Sequence, residues 1–123
     1  MKQNINWFDI PALDLDRAIR FYSAVLGATV AEQEMGDMTI GMLPTTDGPP
    51  MGCILVDENF KPSANGIRTY LGVDDRLKAA VAAVRANGGA VQEDIHAIGP
   101  FGFRANVLDS EGNRFALHSE TEA

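Results

Sequence analysis

The chain has 123 residues, of which 46% are hydrophobic, and its formal net charge is −7 at pH 7. This length permits one compact domain with a substantial core but excludes two independent domains. The negative charge argues against a nucleic-acid partner, because binding to a phosphate backbone requires a cationic surface.

Cysteine use and hydropathy set further limits on the class of protein. Cys53 is the only cysteine, which excludes an intrachain disulfide and a Cys-x-x-Cys metal or redox motif. No apolar run approaches the roughly 20 residues of a membrane span, and the segment Met1 to Asn4 lacks the apolar stretch of a secretion signal. We therefore expect a cytoplasmic protein without a membrane partner.

The first predicted elements are a strand, a turn and an amphipathic helix. Residues 5–10 alternate between two faces, which predicts a strand that Pro11 closes. Asp14 is placed to cap the helix that follows, and Gly27 is placed to end it. The apolar stripe of this helix consists of Leu15, Ala18, Ile19, Tyr22, Val25 and Leu26. Three shorter strands are then predicted over 29–34, 38–43 and 53–56, so the first module has the order βαβββ.

The chain repeats this pattern. Residues 7–30 overlay residues 68–91 at a constant offset of 61 without a gap, so that Asp14 falls on Asp75 and Gly27 on Gly88. Asp75 is therefore the predicted cap of a second helix. The remaining predicted elements are a strand over 68–73, a helix stripe of Leu77, Ala80, Val81 and Val84, and strands over 91–95, 103–108 and 114–118.

The two modules span about 5–57 and 67–119, with a polar, turn-forming connector at 58–66. Neither module has enough apolar residues to cover both of its faces alone. We therefore predict a single domain over residues 1–123 with one shared core, and insoluble halves if the chain is cut at the connector.

Several segments resemble a known superfamily. Phe8 to Pro11, running into Asp14 to Tyr22 and then Val25 to Gly27, resembles the opening of the vicinal oxygen chelate superfamily. Asp109 to Asn113 resembles the closing turn of the same superfamily. The group includes glyoxalase I, extradiol dioxygenases, fosfomycin and bleomycin resistance proteins and methylmalonyl-CoA epimerase. These motifs are mostly turns, caps and packing residues, so they indicate a fold and leave the reaction open.

The resemblance implies an α+β fold in which two tandem βαβββ modules form a curved mixed sheet around a concave cavity, with the helices on the convex side. It implies a small-molecule ligand in that cavity. It also implies a homodimer, because members with two modules per chain usually dimerise and a partner can complete the cavity.

In metal-using members, the resemblance places ligands on the first and last strands of each module. The corresponding positions here are Trp7, Leu55, Arg68 and Ala116. Indole and alkyl groups offer no usable lone pair, and the guanidinium stays protonated. We therefore predict no metal and no cofactor, with a divalent metal as the alternative.

Displaced ligands would have to come from nearby positions. Asp9 and His118 each lie two residues from an inherited position, on the same face of an extended strand. Two donors are fewer than the three that a catalytic zinc site normally takes from protein, and His96 has no partner visible in the sequence.

Strand alternation predicts the lining of the cavity. If Phe8, Ile10, Thr69, Leu71 and Val73 face the helices, the opposite face carries Ile5, Trp7, Asp9, Arg68, Tyr70, Ala116 and His118. This mixed set suits a planar or partly apolar ligand with a carboxylate or phosphate, held by Arg68 and stacked on Trp7. An ion pair between Arg68 and Asp9 is the alternative use of both charges.

The segment around Phe101 adds one further candidate. Gly99 to Phe103 predicts either a flap whose Phe101 ring closes over a ligand, or a tight hairpin with two core rings. Phe101 therefore joins Trp7, Asp9, Arg68, Tyr70 and His118 as a predicted ligand-binding residue.

Two functions follow from these residues and the resemblance. The first is a metal-free protein that binds a small organic molecule, including a cationic drug attracted by the acidic surface. The second is a glyoxalase-like lyase or isomerase, or a dioxygenase-related enzyme, acting on a small carbonyl or carboxylate substrate. In that enzyme Asp9 or His118 would move a proton beside a carbonyl polarised by Arg68 or Tyr70.

Overall fold

The computed structural model describes residues 4–123; the first three residues of the predicted domain lie outside the described part. The first module contains β1 (Phe8–Pro11), α1 (Leu15–Leu26), β2 (Ala31–Met35), β3 (Met38–Met42) and β4 (Gly52–Leu55). The second contains β5 (Tyr70–Gly72), α2 (Leu77–Ala86), β6 (Ala90–Ala97), a one-turn 3₁₀ helix (Gly99–Phe101), β7 (Phe103–Leu108) and β8 (Arg114–Ser119). Neither helix is long and apolar enough to cross a membrane in the described residues.

The eight strands form two four-stranded sheets, one for each module. The strand orders are β1-β4-β3-β2 and β5-β8-β7-β6. In each sheet the first strand runs parallel to the last strand of its module, and the other pairs are antiparallel. The α+β class and the two βαβββ modules are thus confirmed.

The ends of α1 follow the sequence prediction. The Asp14 carboxylate accepts a hydrogen bond of 3.0 Å from the Arg17 amide, which satisfies one of the free donors at a helix N-terminus. Gly27 ends the helix in the left-handed conformation, with φ of 68°. β1 begins only at Phe8, however, so Ile5 and Trp7 precede the strand that was predicted to include them.

The predicted cap of α2 is wrong. Asp75 has a positive φ of 65°, and the helix begins at Leu77 after Arg76, which makes no side-chain cap. The Asp75 carboxylate instead accepts a hydrogen bond from the Thr121 hydroxyl at 3.1 Å. A local tertiary contact has therefore replaced the capping role that Asp14 keeps in the first module.

One hydrophobic core joins both modules. Buried residues of both helices and of both sheets belong to a single cluster, including Phe21, Ile54, Val84, Val107 and Leu117. Phe21 and Tyr22 of α1 contact Phe115 of β8, with ring centroids 6.2 Å and 5.5 Å apart. Because α1 packs against a strand of the other module, the two modules share their apolar interior.

Polar contacts also tie the modules together at the turn before β8. The Glu111 carboxylate accepts hydrogen bonds from the Arg17 guanidinium and from the backbone amides that precede α1. The buried Tyr22 hydroxyl donates a hydrogen bond to Asp109 at 2.5 Å. At the other end of α1, the Arg76 guanidinium donates to the Val25 carbonyl at 2.7 Å. A cation at this position also complements the negative end of the helix dipole.

Candidate functional site

The face of the second sheet that points away from the core carries most of the polar candidates. In β7 and β8 the core takes Ala105, Val107, Phe115 and Leu117. The alternating positions of these strands, and Tyr70 of β5, therefore face the other way. We call this surface the open face of the second module, and its residues include Tyr70, Arg104, Asn106, Ala116 and His118.

A cavity of about 450 Å³ lies on this open face. It is lined by Tyr70, Ile98, Phe101, Arg104 and His118, all from the second module. Three of these residues, Tyr70, Phe101 and His118, are sequence-predicted site residues. Arg104 and Ile98 were not predicted.

The Arg104 guanidinium donates two hydrogen bonds in the wall of this cavity. Its Nη1 donates to the Tyr70 hydroxyl at 2.5 Å, and its Nε donates to Nε2 of His96 at 3.0 Å. Since His96 Nε2 accepts, the hydrogen of this imidazole lies on Nδ1, which donates to the Asp94 carbonyl at 2.8 Å. Both partners of the guanidinium are therefore neutral.

The pKa of Tyr70 reflects two cations. Burial alone would raise it, but hydrogen bonds from Arg104 and Arg68, together with their charges, lower the pKa of this phenol below its ordinary value. The sequence-predicted Arg68 thus acts on Tyr70, which lines the cavity, but is not itself one of the lining residues. None of the ion pairs formed within residues 4–123 includes Arg68 or Arg104.

His118 is tied to the segment between β6 and β7. Its Nε2 lies 2.6 Å from the Phe101 carbonyl, and since a carbonyl can only accept, Nε2 carries the hydrogen. The Phe101 side chain is 70% exposed, whereas Phe103 packs against the core. The predicted hairpin with two core rings is therefore wrong, because only Phe103 packs in the core while Phe101 lines the cavity.

Asn106 supplies a buried acceptor on the same face. Its side-chain nitrogen donates to Glu93 at 2.6 Å, while its Oδ1 has no hydrogen-bond partner in the described structure. The residue is only 5% exposed. A buried polar atom without a partner is costly, so this oxygen is suited to accept from a donor outside residues 4–123.

The first module places its candidates elsewhere. Oδ1 of Asp9 accepts from the Trp7 indole at 2.9 Å and lies 3.4 Å from the sulfur of Cys53. Burial first, and then the hydrogen bond and charge of Asp9, raise the pKa of Cys53 to about 11, so the thiol is not a ready nucleophile. Cys53 itself belongs to a small apolar cluster with Ile40, Leu55, Met38 and Met42.

The predicted site residues therefore form two groups with separate contacts. Trp7 and Asp9 contact each other and Cys53, whereas Tyr70, Phe101 and His118 line the open-face cavity. An ion pair between Arg68 and Asp9 is absent from residues 4–123. The open-face cavity could have been completed from the sequence by following alternation along β7, where Arg104 stands opposite His118.

The inherited metal positions do not fit a divalent ion. Trp7, Leu55, Arg68 and Ala116 offer an indole, an alkyl chain, a guanidinium and a methyl group, none of which is a metal ligand in proteins. Within residues 4–123, no three His, Cys, Asp or Glu side chains are grouped to hold a metal ion.

A second cavity, of about 330 Å³, lies where β1, the connector and β8 meet. We call it the junction cavity. Its walls include Phe8, Ile10, Tyr22 and Phe115, which belong to or pack against the core. Its rim includes Phe60 of the connector and Ile67, which directly follows the connector. The junction cavity thus includes residues of both faces of β1 and β8, and it shares no lining residue with the first cavity.

Comparison with known proteins agrees with this architecture. The profile of the Glyoxalase-like domain family matches residues 7–118. A glyoxylase-like domain-containing protein from Didymella fabae is 34% identical over 122 residues, covering 92% of this chain and 91% of that protein. The chain therefore belongs to the glyoxalase-like domain family, within the vicinal oxygen chelate superfamily.

Solved structures show the same fold at lower identity. A glyoxalase/bleomycin resistance protein from Albidiferax ferrireducens T118 superposes with a TM-score of 0.70 at 20% identity, covering 95% of this chain and 98% of that one. TnmS3, an antibiotic binding protein from Streptomyces sp. CB03234, superposes with a TM-score of 0.68 at 21% identity, covering 96% of each chain. At these identities the likeness is one of fold.

Proposed function

We propose that the chain binds a small, partly planar organic anion in the open-face cavity without a metal ion. The observation that carries this proposal is the state of Arg104, a guanidinium in the cavity wall whose hydrogen-bond partners are both neutral. A carboxylate or phosphate on the ligand would supply the missing counter-charge through charge-assisted hydrogen bonds. The exposed Phe101 ring and Ile98 would cover the apolar part of the ligand.

Two further features support an anionic, hydrogen-bonding ligand. Arg68 and Arg104 bring two cations to the Tyr70 hydroxyl in a chain whose net charge is −7, so the local potential opposes that of the whole molecule. The unpartnered Oδ1 of Asn106 lies on the same face, where it would accept from a ligand hydroxyl or amide.

A glyoxalase-like lyase or isomerase is the second candidate, and His118 favours it. With its hydrogen on Nε2, this imidazole has a free lone pair on Nδ1 and lines the same cavity as Arg104. His118 would remove a proton beside a carbonyl that Arg104 polarises, and return it at another carbon. Asp9, the other predicted catalytic residue, would act at the separate Trp7 and Cys53 group.

Replacing Arg104 by alanine tests the binding proposal. With phenyl phosphate as the probe, we expect Arg104→Ala to weaken binding by about 2 kcal/mol, or roughly thirtyfold, because charge-assisted hydrogen bonds are lost. Isothermal titration calorimetry measures this change. Arg20→Ala, which removes the same charge from an exposed position on α1, is the matched control and should bind phenyl phosphate as the unmodified chain does.

Four outcomes would count against metal-free anion binding as the function of this cavity. An equal loss of phenyl phosphate affinity in both arginine variants would show that only the net charge of the chain matters. Phenol binding as tightly as phenyl phosphate would show that the anion contributes nothing. Turnover of a small carbonyl substrate that disappears in His118→Gln would support the enzyme, and tight binding of the cationic drug bleomycin would support the drug-binding alternative.

We also propose that the chain is a cytoplasmic homodimer. Large apolar side chains remain exposed in both modules: Ile5 is 68% exposed, Trp7 38% and Phe101 70%. A partner would bury such residues and narrow a cavity whose walls come from one module only. Sedimentation velocity at micromolar concentration should give about twice the 13.2 kDa mass of the chain, and a purely monomeric species would contradict the dimer.

A further inference from the structure

We propose that the junction cavity is a second ligand site, which accepts a small aryl carboxylate independently of the open-face cavity. The junction cavity is about 330 Å³, near the lower end of the range for small-molecule sites. A single aromatic ring with a short carboxylate side chain is a ligand of suitable size.

The interior of the junction cavity is aromatic. The rings of Phe8, Tyr22 and Phe115 contribute to its walls, and the Tyr22 hydroxyl is already engaged by Asp109. Tyr22 therefore adds its ring to the cavity while its hydroxyl is satisfied elsewhere. A wall of this kind favours an aromatic ligand through offset or edge-to-face contacts and apolar burial.

The polar part of the wall is cationic. Lys61 and Arg114 both line the cavity, and neither takes part in an ion pair among residues 4–123. Arg114 alternates with the core-facing Phe115 on β8, and its Nε donates to Gln92 of β6 at 2.9 Å, so its guanidinium is directed across the sheet. Asp9, an acidic residue of the wall, directs its carboxylate to Trp7 and Cys53. A carboxylate on the ligand would thus meet the Lys61 ammonium, which forms no ion pair among residues 4–123.

The connector forms a cover that can admit a ligand. Among the hydrogen bonds found within residues 4–123, it is attached to the turn before β8 by two, both at Ser63. Ile67, at the rim, is 94% exposed, and Phe60 is 42% exposed. These apolar side chains would bury more area by closing over a bound aromatic ring. That burial would lower the free energy of the occupied state relative to the empty state.

Isoleucine methyl labelling distinguishes the two cavities. Ile10 and Ile67 line the junction cavity, whereas Ile98 lines the open-face cavity. With 3-phenylpropanoate as the probe, we expect the methyl resonances of Ile10 and Ile67 to shift on titration. Shifts confined to Ile98, or no shift at millimolar probe, would overturn the proposal.

Charge variants provide the second measurement. Lys61→Met should weaken 3-phenylpropanoate binding about tenfold at the Ile10 and Ile67 methyls, and Lys78→Met, an exposed lysine on α2, is the matched control. The neutral 3-phenylpropanol should bind correspondingly less well than the carboxylate. Equal effects of the two lysine variants, or equal binding of the alcohol, would contradict the site.

The junction site and the open-face site can fail separately. Arg104→Ala should leave the shifts of Ile10 and Ile67 unchanged, because Arg104 lines only the open-face cavity. A combined loss at both sets of methyls in this variant would show that the two cavities do not act independently, which would also overturn the proposal.

Discussion

Replacing Glu111 by glutamine should lower the free energy of unfolding by roughly 3 kcal/mol at pH 7. The side chain is fully buried and accepts hydrogen bonds from the Leu13 and Asp14 amides, from the Arg17 guanidinium and from the Ser110 hydroxyl. Removing its charge leaves Arg17 without its partner and gives Glu111's neighbours a weaker acceptor. The loss comes mainly from the buried, charged acceptor and its several hydrogen bonds, because the Arg17 side chain is itself 45% exposed and its ion pair contributes little.

The stabilisation by the Glu111 carboxylate depends on pH, and it should decrease as the pH falls. Burial alone would raise the pKa of Glu111, but the hydrogen bonds from Arg17, Ser110, Asp14 and Leu13 lower it from 4.5 to about 2. A carboxyl group whose pKa is lower in the folded state stabilises the protein above its unfolded pKa. That stabilisation is lost as pH falls from about 4.5 to about 2 and amounts to roughly 3 kcal/mol.

Urea denaturation between pH 7 and pH 2.5 measures this effect. The unfolding free energies of the unmodified chain and of Glu111→Gln should converge as pH falls, because the native carboxyl becomes neutral as well. Glu122→Gln, an exposed position, is the control and should follow the unmodified chain throughout. Parallel curves for the unmodified chain and Glu111→Gln would contradict the assigned role.

Alanine at Gly89 should destabilise the fold by about 3 kcal/mol, the second largest effect. A Cβ atom there would lie 2.4 Å from the Leu108 carbonyl, 2.7 Å from the Phe21 ring and 2.9 Å from a Val84 methyl. The carbonyl belongs to a strand backbone and cannot rotate away, so the strand or the helices must shift. Overpacking of a core costs this much when backbone has to move.

Gly88→Ala separates packing from backbone conformation. Gly88 has a positive φ of 91°, but a Cβ would approach only Ser110, at 3.8 Å. This variant should therefore cost about 1 kcal/mol, from conformational strain alone. Thermal unfolding of both variants tests the comparison, and an effect of Gly88→Ala as large as that of Gly89→Ala would show that the contacts around Gly89 are not the cause.

The sequence predicted elements whose signals are local. The Asp14 cap and the Gly27 stop of α1 depend on residues within one helix and are found where they were predicted. The predicted stripe packs against the core, together with the buried Phe21 that it omitted. The repeat at an offset of 61 correctly predicted the corresponding helix of the second module. It also predicted Asp75 as the cap of that helix, which is wrong. Whether an aspartate caps a helix depends on the backbone conformation of that residue and on competing partners such as Thr121.

The candidate site depends on information that no single strand contains. Tyr70 was assigned to the cavity face by alternation along its own strand, and His118 by its position two residues after Ala116, a metal-ligand position in the superfamily. Alternation from Phe103 would have placed Arg104 on the open face. Its position opposite His118 depends on the register of β7 against β8, which the sequence does not state. Its hydrogen bonds to Tyr70 and His96 join three strands and have no signature in the sequence.

The Glu111 contacts also constrain how the protein can be synthesised. The acceptor for the amide of Asp14 lies 97 positions further along the chain. While a ribosome is translating the first module, that carboxylate has not yet been made, and Tyr22 likewise lacks Asp109. The nascent amino-terminal module therefore lacks these hydrogen bonds until residues 109–111 have been synthesised, and its apolar surface stays without its partner module during that interval.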